Sequence, residues 1–485
     1  MNGRFAAPLV LLALLASVPP AAADVVVQEQ TTPEGTSTIY KMTVTPAAEP
    51  VPALAHRLVL RELEVKRGNA APYYYRALLD VPRLTKALHG KFGDEYAEWT
   101  SPGHGDPEKL RLAAAMLPES TYASLQTAAT RDHSDWGWQL EELRGPDLIA
   151  FLLPEVQESR QLSRMLMLKA RVALADRRFD EAIDVMRING SLGRDVAAEP
   201  LLICKLVGVA IVAMNHEPLV ELIGAPGSPN MYWALTELPE PQIPFRDAVR
   251  TELSIGFRMF PFMIDAENQE HSAAEWARLL AQGVAELGSV SNDPPLRNEL
   301  QTQLSAMAVA LLSYEPAKQR LVAAGMDPQR VDAMPVGQVI AIDASREYRR
   351  ITDEIEKWSY LPHREAAQEF RGAWRVLESS RLHGGYGALV AWTLVPGIEA
   401  ARKAEVRLQW QHDALRIVEA IRMHAAATGK FPATLAEIEI VPIPQNPATG
   451  EPYDYQLDGE TAVLELPFSD GMGRSWRFEI TLARP

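Results

Sequence analysis

Apolar positions along the middle of the chain recur at helical spacing. The pattern starts at Ala53, and Gly68-Asn69 stops a first helix before a second begins near Pro72, carrying Tyr73, Tyr74 and Tyr75. The clearest pair of helices falls between residues 161 and 189. Met165, Leu168, Val172 and Ala175 share one face, and after a short polar turn Phe179, Ala182, Ile183 and Met186 share another. Two short amphipathic helices joined tightly form an αα-hairpin, whose single apolar face needs stacked neighbours. Proline-rich breaks at 226–229, 239–244 and 293–295 punctuate the helical stretch. A last long helix is predicted from about 396 to 427. Pro396 suits its first turn, Gly429 its exit, and Leu408, Leu415, Val418, Ile421 and Ala425 its buried stripe.

The period then changes from helix to strand. After Pro442, Pro444 and Pro447, residues 453–466 alternate on both sides of Asp458-Gly459, a dipeptide that favours a tight hairpin turn. Trp476, Phe478, Ile480 and Leu482 alternate as a third strand, and Phe431 and Leu435 are placed to seal the helix against the sheet. Residues 24–50 read as a loose leader with one candidate strand over 39–45. The expected fold is mainly α: a helical-hairpin stack over 51–395, then 396–485 as a long helix packed on a small three-stranded antiparallel sheet.

Three resemblances accompany this pattern. KARVALADRRFDEAI resembles a tetratricopeptide hairpin at Ala170, Phe179 and Ala182, but it has Arg177 where a turn glycine is usual and Asn189 where a small alanine is usual, and no second copy follows at the period of 34. The last stretch, GKFPATLAEI followed by PQNPATGEPYDYQLDG, is similar to the globular part of type II secretion pseudopilins, without their amino-terminal assembly helix. Over the full length, GNAAPYYYRALL, DWGW and NMYWALTELPEP resemble a family of exported planctomycete-type proteins of unknown function. That resemblance implies export, a helical body and a small carboxyl-terminal sheet, and carries over no catalytic residue.

The amino terminus supports export directly. Arg4 precedes an apolar run at 8–18, and Ala21, Ala22 and Ala23 come before Asp24, the grammar of a secretory signal peptide cleaved after Ala23. Its apolar part, about eleven residues, is too short for a bilayer core that needs roughly twenty. Residues 201–214 and 386–398 are likewise short and read as buried helix, so no transmembrane anchor is expected after cleavage, and the location is periplasmic or extracellular. With 63 acidic against 48 basic side chains the chain carries a net charge of −15, which speaks against nucleic acid as a partner. Cys204 is the single cysteine, so no intramolecular disulfide forms, and its apolar neighbours predict a buried, quiet thiol.

Candidate chemistry is sparse. The ten histidines show no metal-ligand spacing, and there is neither a G-x-S-x-G elbow nor a P-loop, so no catalytic residue, metal or cofactor is assigned. Gly384, Gly385 and Gly387 lack the lysine of a phosphate cradle and read as a flexible connection. The densest mixture of polar and aromatic groups is Asp132, His133, Ser134, Asp135, Trp136, Gly137 and Trp138. Asp132, His133, Asp135, Trp136 and Trp138 are the candidate binding set: tryptophan faces stack on sugars, and paired carboxyls supply acid and base to a glycosidase. The simpler reading makes Ser134 or Asp135 a helix cap and the tryptophans packing groups. Lys357, Trp358, Tyr360 and His363 read as a solvated face with aromatic anchors, and Glu141-Glu142 and Asp353-Glu354 as surface charge. The function expected is a non-catalytic exported scaffold binding a protein or another cell-envelope component. The alternative is an envelope hydrolase acting on carbohydrate or peptide.

Overall fold

The computed structural model describes residues 25–33, 35–100, 104–139, 154–290, 299–383, 385–395, 397–466 and 473–483. The signal-peptide residues, Glu141-Glu142, Gly384 and Pro396 lie outside them.

The described chain opens with a hairpin, β1 (Val25–Thr32) and β2 (Gly35–Val44), paired antiparallel from Val25↔Met42 to Thr32↔Gly35. A short parallel ribbon, β3 (Lys66–Asn69) with β4 (Arg131–His133), follows inside the helical body. Near the other end β5 (Asp454–Asp458), β6 (Thr461–Leu466) and β7 (Arg474–Leu482) form the expected antiparallel meander. Asp458 faces Thr461, so Gly459, at φ 59°, and Glu460 make the turn. The two ends of the described chain then join. β2 runs parallel to β7 from Thr36↔Arg474 to Val44↔Leu482, giving one mixed sheet ordered β1-β2-β7-β6-β5.

Residues 25–32 and 35–44 are therefore two strands of a five-stranded mixed sheet, which corrects the expected loose leader and the all-antiparallel, three-stranded sheet. β1 buries only Val25 and so shows no apolar alternation to read. β2 does alternate, with Tyr40, Met42 and Val44 inward, in the segment marked as a candidate strand.

Helices α1 (Ala71–Leu78), α2 (Val81–Phe92), α3 (Pro107–Ala114) and α4 (Glu119–Ala129) lead to the αα-hairpin, α5 (Pro154–Ala175) and α6 (Phe179–Val196). Arg177 turns the chain at φ 58°, a left-handed conformation that a glycine takes more easily, and the Arg178 N–H closes the turn on Ala173 O at 2.8 Å. α7 (Leu202–Ala213), α8 (His216–Gly224) and α9 (Tyr232–Thr236) complete a first lobe, whose core joins Tyr74, Leu162 and Met186 to the inner face of the sheet. Residues Leu202–Gly224 are long and apolar enough to cross a membrane by composition alone, yet 61% of the most apolar window is buried within the protein, as core helices are.

Beyond a cis Glu240-Pro241 bond lies the second lobe: α10 (Arg246–Met259), α11 (Ala273–Val290), α12 (Glu299–Ala323), α13 (Pro328–Ala333), α14 (Val336–Ser359), α15 (His363–His383) and α16 (Tyr386–Leu394). Phe245, Phe260, Trp276, Tyr348 and Tyr386 fill its separate core. Gly387, in the first turn of α16, is a contact point: a Cβ there would sit 2.2 Å from Ala344 O, so α16 lies on the backbone of α14.

Two helices join the lobes, α7, with Leu202, Val209 and Val212 in the second core and Cys204, Val207 and Ile211 in the first, and a longer one. α17 (Gly397–Thr428) places Ile398, Ala401 and Leu408 in the second core and Trp410, Ile417, Val418 and Ile421 in the first. All five positions of its predicted stripe are buried, and Gly429, at φ 77°, ends it. Phe431 and Leu435 are buried where the helix hands over to the sheet. The helix is pinned from inside by Glu419 and Arg422, both fully buried. Arg422 Nη1 donates to both Glu419 oxygens at 3.1 and 2.9 Å, Nε to Thr45 O at 3.0 Å, and Nη2 to Ser228 O and Oγ at 3.1 and 3.0 Å. Glu419 in turn accepts from Met231 N at 3.0 Å. Helix, amino-terminal hairpin exit and first lobe are thereby locked as one piece.

Candidate functional site

The candidate set around DWGW is built into the first lobe. Trp136, only 4% exposed, lies between two rings, Tyr74 at 5.7 Å and Trp138 at 5.4 Å between centroids, with interplanar angles of 11° and 22°. The ring is thus packed against protein. Its Nε1 donates to Asp195 O at 3.0 Å, and Trp138 Nε1 donates to Tyr75 Oη at 3.1 Å. Asp132 accepts from Gly68 N at 2.9 Å and lies 2.8 Å from His133 Nδ1, and these contacts hold its carboxyl below the usual range. Asp135 Oδ1 accepts from Gly137 N at 2.8 Å, the side-chain turn that aspartate favours. These groups organise one another and the β3–β4 ribbon.

The other marked residues are also accounted for locally. Cys204 is fully buried, and burial pushes its thiol up to about 12. Gly385 abuts the Arg320–Asp343 pair, joined at 2.8 and 2.7 Å, so this stretch is a close contact in place of the expected flexible connection. Lys357 pairs with Glu354 at 2.6 Å and sits over the Trp358 ring, as a solvated face with an aromatic anchor does. Among the described residues no group of three or more His, Cys, Asp or Glu is placed to hold a metal ion.

A large cleft opens where the lobes meet, with a volume of about 1200 Å³. Four segments build it: the proline-rich crossing at 240–250, the α14–α15 turn at 359–364, one face of α17, and the 443–447 loop. The α17 face presents Arg402, Glu405, Gln409, Asp413 and Arg416, spaced by three and four residues on one side of an otherwise buried helix. Arg246, Arg250 and Arg364 add three more guanidinium groups. The loop keeps its shape through Asn446, whose Oδ1 accepts from Trp410 Nε1 and from Ala448 N, both at 2.9 Å.

Charge in the cleft is unevenly satisfied. Asp413 accepts from Gln409 Nε2 at 3.0 Å and from Tyr453 Oη at 2.9 Å, while Arg416 Nη1 stands off at 3.6 Å. Burial outweighs these contacts and pushes the Asp413 carboxyl up to about 7. Arg402 donates to Leu361 O at 3.3 Å and lies 3.7 Å from Glu405; burial lowers its pKa and raises that of Glu405. Arg246 donates to Tyr360 O at 3.2 Å and covers the Tyr360 ring, 5.4 Å from its centroid.

Sequence reasoning missed this cleft. Tyr360 and His363 were marked only as surface, and the arginines come from separate segments. The legible signal was the run of polar residues 402-405-409-413-416 at helical spacing on α17. No protein-family model, curated protein or solved structure matches the chain.

Proposed function

We infer that this protein is an exported scaffold that performs no covalent chemistry and holds a second protein of the cell envelope in the cleft between its lobes. The cleft itself carries the reading, because binding sites form preferentially where domains meet. Here stiff proline walls surround arginines that are anchored but not saturated. The acid best placed for chemistry, Asp413, has both oxygens engaged by neighbouring donors. The signal-peptide grammar of residues 1–23 and the resemblance to exported planctomycete-type proteins supply the export part.

The test places a photo-crosslinking amino acid at Gln445, on the cleft wall, and at exposed Gln126, which does not line it. Both variants are expressed in a host that exports the chain. A discrete adduct from position 445 and none from 126 is the expected result. Equal labelling from both positions, or none from 445, would contradict the reading.

A further inference from the structure

Two buried arginines elsewhere in the protein show what full pairing looks like. Arg422 uses every nitrogen, and Arg171 pairs with Glu221 through two nitrogens while donating to the carbonyls of Trp99 and His104. The two arginines on the cleft floor differ. Among the described residues the Arg402 side chain, 12% exposed, makes one bond, to a backbone carbonyl, with its nearest carboxylate 3.7 Å away. The Arg416 side chain is 13% exposed, stands 3.6 Å from Asp413, and has a buried Nε with no hydrogen-bond partner among the described residues. A guanidinium offers five N–H donors in a planar fork that fits a carboxylate at two points. Two such forks, held in a desolvated floor and only partly occupied, describe a receptor for oxyanions.

We propose that the cleft receives an acidic peptide segment of a partner protein, with Arg402 and Arg416 each gripping an Asp or Glu carboxylate and Arg246, Arg250 and Arg364 drawing the segment in. This rests on the scaffold reading above and names the ligand class of the same site. Charge sets the direction: the chain as a whole carries −15, yet five arginines against four carboxylates, Glu240, Asp247, Glu405 and Asp413, leave this one cleft with a small positive excess. Such a local reversal steers an acidic segment to the cleft and away from the remaining surface. Size favours a chain over a metabolite, since about 1200 Å³ exceeds the roughly 300–1,000 Å³ usual for small-molecule sites. Pro241, Pro244, Pro362 and Pro444 give fixed apolar walls between the charged points, suited to an extended backbone. A glycan is disfavoured because sugar recognition wants an open aromatic face, and Tyr360 on the rim has its ring under Arg246 and its hydroxyl bonded to Glu356.

The experiment uses the full mature chain and a fluorescein-labelled peptide of alternating Glu and Ala, followed by anisotropy. Its Gln counterpart, inorganic phosphate and an oligogalacturonate serve as competitors. The Glu peptide should bind, the Gln peptide should compete poorly, and affinity should fall with added salt. Arg402→Gln and Arg416→Gln should each weaken binding roughly tenfold to a hundredfold, the worth of a charged hydrogen bond. Arg364→Gln, at the exposed mouth, keeps the fold intact and should mainly slow association. Equal competition by Glu and Gln peptides, stronger competition by phosphate or oligogalacturonate, or arginine variants that bind like the parent would overturn the proposal. If crosslinking from Gln445 succeeds while the Glu and Gln peptides behave alike, the acidic-segment inference falls and the scaffold reading stands.

Discussion

Replacing Arg422 by Met keeps the length of the side chain and removes the charge at the point where α17, the strand β2 exit and the 228–231 segment meet. The arginine is fully buried and saturated, so the change strands the Glu419 carboxylate and leaves Thr45 O and the Ser228 oxygens without a donor. Breaking a buried ion pair from one side costs about 3–5 kcal/mol, because the surviving charge stays out of water without its counterion. Burial already pushes the Glu419 carboxyl upward, and loss of Arg422 removes an opposing influence, so the carboxyl of the variant shifts further up. Removing both charges, as Glu419→Leu with Arg422→Met, should recover most of the loss, since an apolar pair of similar volume is often neutral or better. Urea unfolding followed by far-ultraviolet circular dichroism gives each value, and the double-mutant cycle isolates the coupling. A single variant within about 1 kcal/mol of the parent would refute the reasoning, since breaking a buried pair costs several times that.

Other expectations follow from individual groups. Asp413, with a folded pKa near 7 against about 4 unfolded, holds more protons folded than unfolded between those values, so its contribution to stability is greatest below pH ~4, falls as pH rises and levels off above pH ~7. Asp413→Asn should remove that slope, on the order of 4 kcal/mol at most, and parallel pH-stability curves for parent and variant would contradict it. Trp136→Ala empties a site closed by Tyr74 and Trp138 and should cost about 3–5 kcal/mol, whereas unchanged unfolding in urea would return the ring to the list of ligand contacts. Cys204 should react with a thiol reagent only as fast as the protein opens, and rapid labelling of the native chain would show the site is accessible.

Local pattern made much of the fold readable. The αα-hairpin, the stripe on α17, its exit at Gly429 and the turn at Gly459 all depend on neighbours within a few residues, and each stands where periodicity put it. The amino-terminal hairpin was not readable because its partner is β7, at the far end of the chain, and because β1 buries a single residue. The candidate site failed for a related reason. A cluster such as Asp132 to Trp138 is conspicuous because its residues are adjacent, but adjacency also lets them satisfy one another, as Asp132 does with His133 and Asp135 with Gly137. The cleft is assembled from distant segments, and the break at 239–244, read only as punctuation, became one of its walls.

The central claim is that the cleft arginines meet a partner. Arginine-selective labelling with phenylglyoxal, read by peptide mass spectrometry with and without a partner isolated by crosslinking from Gln445, tests it most directly. The account predicts that Arg246 and Arg364 react in the free protein and are shielded together with Arg402 and Arg416 when the partner is added, while Arg477, paired with Glu465 and Glu479 on the sheet, is labelled equally in both states. Protection confined to arginines outside the cleft, or unchanged labelling of Arg246 and Arg364, would contradict it.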